Sequence, residues 1–144
     1  MIEQDTVRLL RECDAGVKMG VDSLEDVLDR VRDNTLQTLL SDCKAEHLKL
    51  EGEIEGQLAR FSDKGKEPNP VAKSMSHMKT GMKMAMDDTD QTVADLITDG
   101  CNMGVKSLSR YLNEYKAADE CSKDIAKRLI AVEAKLSEDL RGYL

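Results

Sequence analysis

The chain has 144 residues, a length typical of one domain with a sizeable core. Its formal net charge of -7 argues against a protein that binds nucleic acids or anionic membranes, because such proteins present a basic face. Aromatic residues make up only 3% of the chain, against eight methionines and two prolines, so an aliphatic core built from helices is predicted.

The N-terminus and the cysteines indicate the compartment. The opening residues MIEQDTV lack the basic and apolar regions of a secretion signal, and no apolar run approaches the roughly 18 residues of a spanning helix. The four cysteines do not have the spacing of zinc ligands. Three of them fall on apolar helical positions, which favours reduced core thiols. We therefore expect a cytoplasmic protein with thiols at Cys13, Cys43, Cys101 and Cys121.

Apolar residues spaced by three and four predict a first helix from about Gln4 to Arg32. Within it, Gly16 and Gly20 each cost roughly 1 kcal/mol relative to alanine, so they require a packing reason such as a close approach by another helix. Asn34 and Gln37 have the spacing of a capping box. They predict a second helix that runs to about residue 61 and lies antiparallel to the first.

Residues 62–70 form the one clear loop, and Asn69 followed by Pro70 predicts the start of a third helix. This helix carries a narrow apolar stripe over about 17 residues, which includes Met75, Met78 and Met82. One interpretation is that the stripe packs on the other helices. The alternative is an adaptable surface for a protein partner, since methionine-rich helices also serve in this way.

Two further helices complete the chain. Asp88 and Gln91 are spaced as a cap for a helix that extends to about Lys116. Asp119 can cap the last helix, whose apolar stripe is interrupted by Glu133 and continues almost to the C-terminus.

An internal repeat relates the two ends of the chain. Met-Gly-Val-x-Ser-Leu occurs at residues 19–24 and again at residues 103–108, and a slightly larger offset aligns His47 with Glu133. We interpret the chain as one domain, 1–144, in which hairpins 4–61 and 89–142 are joined by a crossover, 62–88. The predicted fold is all-α, an up-down-down-up four-helix bundle with a crossover helix between helices 2 and 3. Gly16/Gly20 and Gly100/Gly104 are predicted to let the first helices of the two hairpins come close.

This order of elements resembles the ferritin-like superfamily, and in particular its small bacterial members of unknown function. The similarity includes the Cys-Asp-Ala-Gly start at residues 13–16, the polar loop at 64–70 and a histidine, His77, on the crossover helix. The resemblance implies a four-helix bundle, and it directs attention to the metal site of the di-iron members.

Di-iron members of the superfamily hold their metals with one Glu from the first helix of each hairpin and a Glu-x-x-His from each second helix. This sequence contains no Glu-x-x-His, and the central positions of the two first helices are Gly20 and Gly104. His47 and Glu133 remain at equivalent core positions. They form a buried hydrogen-bonded pair, or each leans out to water, or with Glu46 they form a remnant site for Fe, Mn or Zn.

The sequence therefore predicts a non-catalytic bundle that acts through protein association, with a homodimer as one form of it. The alternative is a degenerate metal-binding or oxidase-type relative with its site at His47 and Glu133. We expect no catalytic residues, because no nucleophile or oxyanion device accompanies the His–Glu pair. A partner is expected at Met75, Met78 and Met82, with no nucleic acid and no membrane involved.

Overall fold

The computed structural model describes residues 2–144, and within them it contains five α-helices and no strand. The all-α prediction is therefore confirmed. The elements are α1 (Ile2–Leu28), α2 (Asn34–Ala59), α3 (Pro70–Met86), α4 (Asp90–Glu114), α5 (Glu120–Asp139) and a final 3-10 helix (Leu140–Tyr143).

Side-chain caps begin four of the helices. Asn69 and Asp119 cap α3 and α5 as predicted. The other two predicted caps are wrong by one residue. The carboxylate of Asp33, rather than the Asn34 side chain, accepts hydrogen bonds from the first backbone amides of α2, and Thr89, rather than Asp88, caps α4. Each true cap has the extended backbone that this role requires.

Three helices end earlier than their apolar stripes predict, and one of them is α2, which ends at Ala59 instead of about residue 61. Helix α1 ends at Leu28 instead of Arg32, because the chain must already be extended at Asp33 to cap α2. Helix α4 ends at Glu114, two residues before the predicted end, and a short turn leads to the cap of α5.

Helices α1 and α2 pack against each other, as do α4 and α5, and the two pairs contact through α1 with α4 and through α2 with α5. Hydrogen bonds join the starts of α1 and α5, where Thr6 Oγ1 accepts from the Asp119 amide. At the opposite end, Asp90 accepts from the backbone amides of Arg32 and Asp33. The five helices thus form one packed bundle.

The interior contains two apolar clusters, one toward each end of the bundle. The first includes Leu9, Leu10, Cys13, Val17, Leu50, Ile54, Leu58, Leu108, Ala118, Ile125, Ala126 and Leu129. The second includes Leu24, Val27, Leu36, Leu40, Cys43, Met84, Val93, Ala94, Ile97, Cys101, Leu136 and Leu140. Along each of the four long helices, one position between the clusters faces a central layer composed of Gly20, His47, Gly104 and Glu133.

Helix α3 lies against α1 and α4 with its polar side inward. Lys73 and His77 pair with Asp22 and Asp26 of α1, and Lys79 and Lys83 pair with Asp99 and Asp95 of α4. Only one residue of the helix, Met84, is buried. The interpretation that the stripe of Met75, Met78 and Met82 packs on the bundle is therefore wrong, because those side chains point to solvent.

No helix within residues 2–144 combines the length and the apolar character needed to cross a membrane. Cys13, Cys43 and Cys101 are buried free thiols, as the apolar pattern predicts, and Cys121 is exposed.

Candidate functional site

The central layer brings together the two polar residues that the repeat aligns. His47 projects from α2 and Glu133 from α5, and their side chains approach with Nε2 of the imidazole 2.5 Å from Oε1 of the carboxylate. Only 1% of His47 and 9% of Glu133 is exposed. The pair is therefore a buried polar contact enclosed by four helices.

The hydrogen bonds of His47 define its charge. Nδ1 lies 2.8 Å from the backbone carbonyl oxygen of Cys43, one helical turn earlier, so Nδ1–H donates to that oxygen. Nε2 then faces Oε1 of Glu133, and the contact is ionic when Nε2 also carries a proton. Burial by itself lowers the pKa of His47, but the contacts with Cys43 and Glu133 outweigh it and raise this pKa to about 10. This pKa favours the imidazolium form of His47 at neutral pH.

The two glycines of the layer provide the space for this pair. A Cβ atom at Gly20 would lie 2.7 Å from both Cδ2 and Nε2 of His47, which is too close for any real contact. A Cβ atom at Gly104 would meet the Glu133 side chain at 3.7 Å, an ordinary van der Waals distance. Gly20 thus faces His47 on the second helix of the first hairpin, and Gly104 faces Glu133 on the second helix of the other hairpin.

The four repeated glycines were predicted to let α1 and α4 come close, and this is correct only in part. Gly16 lies 3.9 Å, measured from its ideal Cβ position, from Leu108 of α4, which fits a contact between the two first helices. Gly100 is exposed, and nothing lies within 4 Å of its Cβ position. The stronger requirement for glycine comes from His47, because its ring occupies the volume that a side chain at Gly20 would need.

Two buried thiols border the central layer. The sulfur of Cys43 lies 3.5 Å from Nδ1 of His47. Burial, together with the neighbouring Glu133 carboxylate, raises the pKa of the Cys101 thiol. The Cys101 thiol therefore stays protonated at neutral pH. Sequence reasoning placed both thiols only on an apolar stripe.

The three predicted metal ligands do not all meet. His47 and Glu133 are in contact, whereas Glu46 is exposed on α2. Within residues 2–144, no group of three or more His, Cys, Asp and Glu side chains is arranged to hold a metal ion. Two side-chain donors that already bind each other are fewer than the three or four that most protein sites provide. Binding of Fe, Mn or Zn at His47 and Glu133 stays a prediction.

A second buried carboxylate, which sequence reasoning missed, fixes the loop before α3. Asp14 is fully buried, and its Oδ2 accepts hydrogen bonds from Nζ of Lys18 and from the backbone amide of Lys66. Gly65 has φ of +85° and passes so close to Asp14 that a side chain there would clash. The spacing of Asp14 and Lys18, four residues apart on a helix, was the available signal.

The outer side of α3 presents five of the nine large apolar side chains that are exposed in the described part of the chain. We call Val71, Met75, Met78, Met82 and Met86 the methionine surface. Between 62% and 86% of each of these residues is exposed. The three predicted partner-binding residues are therefore accessible, together with two more at the ends of the stripe.

Open hollows occur elsewhere on the bundle. The larger, of about 460 Å³, is lined by residues of the first three turns of α1, and a smaller one of about 250 Å³ lies near the start of α4. Neither includes His47, Glu133 or a residue of the methionine surface.

Comparisons of this chain with protein-family models, with curated proteins and with solved structures gave no match. Its function must therefore be inferred from its own geometry.

Proposed function

We propose that this protein is a non-catalytic, ferritin-like helical bundle of the cytoplasm that acts by binding another protein chain through the methionine surface. The observation that carries the proposal is the orientation of α3. Its apolar side faces solvent and its charged side faces the bundle.

Several contacts support an up-down-down-up arrangement of α1, α2, α4 and α5. The short connections after α1 and α4 make each hairpin antiparallel. The starts of α1 and α5 meet, and the end of α1 meets the start of α4. Helix α3 then runs parallel to α1 and returns the chain to the start of α4. Lys73 pairs with Asp22, and four residues later His77 pairs with Asp26. This order is the ferritin-like one.

The central layer supports a structural role rather than a catalytic one. His47 uses both ring nitrogens, Nδ1 on the Cys43 backbone and Nε2 on Glu133, so it has no ring nitrogen free for a substrate. A general acid or base must come within hydrogen-bonding distance of the proton that it transfers. Here apolar clusters lie on both sides of the pair.

The methionine surface supports association. Isolated apolar side chains are common on protein surfaces, but a contiguous apolar stripe is typical of an interaction site. Its residues follow one another at intervals of three and four, the spacing with which a helix meets a second helix. Methionine also adapts its flexible side chain to a partner surface.

Oxidation of methionine by peroxide tests the association. Met103 of α4 is 70% exposed and lies outside the methionine surface, so it provides an internal reference. In dilute purified protein, we expect Met75, Met78 and Met82 to be oxidised about as fast as Met103. In an extract of the cells that produce the protein, a bound partner slows them several-fold relative to Met103. Equal relative rates in the dilute protein and in an undiluted extract contradict the proposal.

A second candidate function, metal binding at His47 and Glu133, is favoured by one observation. The hydrogen bond from Nδ1 to a backbone carbonyl is the arrangement that commonly orients a metal-binding histidine. Metal analysis of protein purified without chelator tests it. Near-stoichiometric Fe, Mn or Zn that is lost in His47→Gln supports this function, and metal-free protein excludes it.

A further inference from the structure

We propose that the partner of the methionine surface is a second copy of this chain, bound with the two α3 helices antiparallel. This inference rests on the proposed function and specifies its partner. The spacing of the stripe, the distribution of charge along α3 and the small residues beside the stripe lead to it.

The methionine surface has nearly the same spacing in both directions. Met75 and Met82 lie three and four residues from Met78, and Val71 and Met86 lie seven and eight residues from it. An antiparallel copy therefore places Met78 opposite Met78, Met75 opposite Met82, and Val71 opposite Met86. A two-fold interface needs this property, because each contact between two positions occurs twice.

The charges at the ends of α3 favour the antiparallel arrangement. Exposed Asp87 and Asp88 follow the helix, whereas Lys64, Lys66 and Glu67, all exposed, precede it, and Lys66 already pairs with Glu12. In an antiparallel pair, the acidic end of each α3 lies beside Lys64 and the positive helix N-terminus of the other. A parallel pair would bring the two acidic ends together. Charge complementarity of this kind fixes the orientation of paired helices.

Small residues beside the stripe permit close approach of the second helix. Ser74, Gly81 and Ala85 follow one edge of the methionine surface, and all three are exposed. Nothing within the chain lies within 4 Å of a Cβ position at Gly81. Glycine inside a helix costs about 1 kcal/mol relative to alanine, and here no contact within the chain requires it. Gly52, Gly56 and Gly100 are equally open, so Gly81 permits a second helix to pack directly on this edge but does not require it.

The size of the contact predicts a dimer of limited strength. Seventeen residues of α3 span about 25 Å. One helix pair of this length contributes only part of the roughly 800 Å² per partner that stable complexes bury. We therefore expect a dimer that dissociates on dilution.

Single-cysteine cross-linking tests the arrangement in a Cys121→Ser background, which removes the one exposed native thiol. Under mild oxidation, Met78→Cys forms a covalent dimer by itself, because it lies near the two-fold axis. Val71→Cys alone does not, since its two copies are about 20 Å apart. A mixture of Val71→Cys and Met86→Cys forms a mixed dimer. A dimer of Val71→Cys as abundant as that of Met78→Cys, or no cross-link in any of the three, overturns the proposal.

Sedimentation of the purified protein over a wide concentration range gives the second test. The wild type is expected to change from monomer to dimer, and Met75→Asp/Met82→Asp is expected to weaken the dimer at least tenfold. Leu48→Asp is the matched control, because Leu48 is also an exposed apolar residue but lies on α2. A wild type that stays monomeric throughout overturns self-pairing. If the methionines are nevertheless protected in the extract, only self-pairing is contradicted and the proposed association stands with another partner. If they are not protected, the proposed association is contradicted as well.

Discussion

At the scale of single residues, the central layer makes different demands on its two glycines. Gly20→Ala would push Cβ against the His47 ring, which its hydrogen bonds hold in place. We expect this variant to lower the free energy of unfolding by about 1–3 kcal/mol, the usual cost of an overpacked core. Urea denaturation measures the change.

Gly104→Ala is the matched control, because its new Cβ meets Glu133 at an ordinary distance. The gain in helix propensity, up to about 1 kcal/mol, should leave this variant as stable as the wild type or more so. Equal losses in both variants would show that the His47 ring does not occupy the position described.

The charge of the His47–Glu133 pair makes stability depend on pH. The pKa of His47 is raised from 6.5 to about 10 in the folded protein, so the stabilisation is complete below pH 6.5 and is lost as pH rises toward 10. As the pH rises from 7 to 8.5, the unfolded chain loses the His47 proton while the folded protein keeps it. This difference alone lowers the free energy of unfolding by up to about 1.4 kcal/mol per pH unit. Denaturation at several pH values measures the slope.

Glu133→Gln should abolish most of that slope, because it removes the carboxylate that holds the proton on His47. Buried thiols such as Cys13, whose pKa is raised from 9.0 to about 12, also lower stability toward the upper end of this range. Comparison with the variant at the same pH values separates their contribution from that of His47. A slope that is unchanged in the variant would mean that the pair is not ionic in the folded protein. Titration of the His47 ring by nuclear magnetic resonance gives an independent reading.

At the scale of elements, Met84 is the one apolar anchor of α3. The four ion pairs of this helix are largely exposed, and such pairs contribute between zero and about 1 kcal/mol each. We expect Met84→Ala to increase hydrogen exchange at the α3 amides at least tenfold and to leave α2 unchanged. Met82→Ala, measured in dilute protein, is the control, because Met82 is exposed. Similar exchange in both variants contradicts the role of Met84.

Helix α3 also shows the limit of sequence reasoning for individual elements. Periodicity identified its extent, its cap and its apolar stripe correctly. It could not identify which side faces the bundle, because that depends on Asp22 of α1 and Asp99 of α4, which are distant in sequence. The caps of α2 and α4 were wrong by one residue for a local reason. Adjacent residues, such as Asp33 and Asn34, are both able to cap, and only the backbone conformation distinguishes them.

At the scale of the whole molecule, the packing of the bundle should determine thiol reactivity. Cys121 is exposed, and Cys13, Cys43 and Cys101 are buried. Burial raises the pKa of Cys13 to about 12, which further slows its reaction. With a thiol reagent at neutral pH, one thiol per chain reacts at once and three react only as the bundle opens. Rapid labelling of two or more thiols would contradict the packed core.

The repeat predicted the central layer more completely than it predicted the chemistry there. Aligning the two hairpins placed His47 and Glu133 at equivalent positions, and the structure shows them in contact. Sequence could not reveal that Gly20 provides the space for the ring, because this depends on the distance between α1 and α2. The contribution of the Cys43 backbone was equally hidden, since every helical residue has a carbonyl group.

The central layer also carries a consequence for the ancestry of the chain. If one hairpin was duplicated, the two positions of the layer once held the same residue. Two carboxylates at this distance cannot both ionise, and two imidazolium ions repel. An ion pair became possible only when the halves diverged, so natural relatives should change position 47 and position 133 together. Exchange of one hairpin for a copy of the other would remove the ion pair.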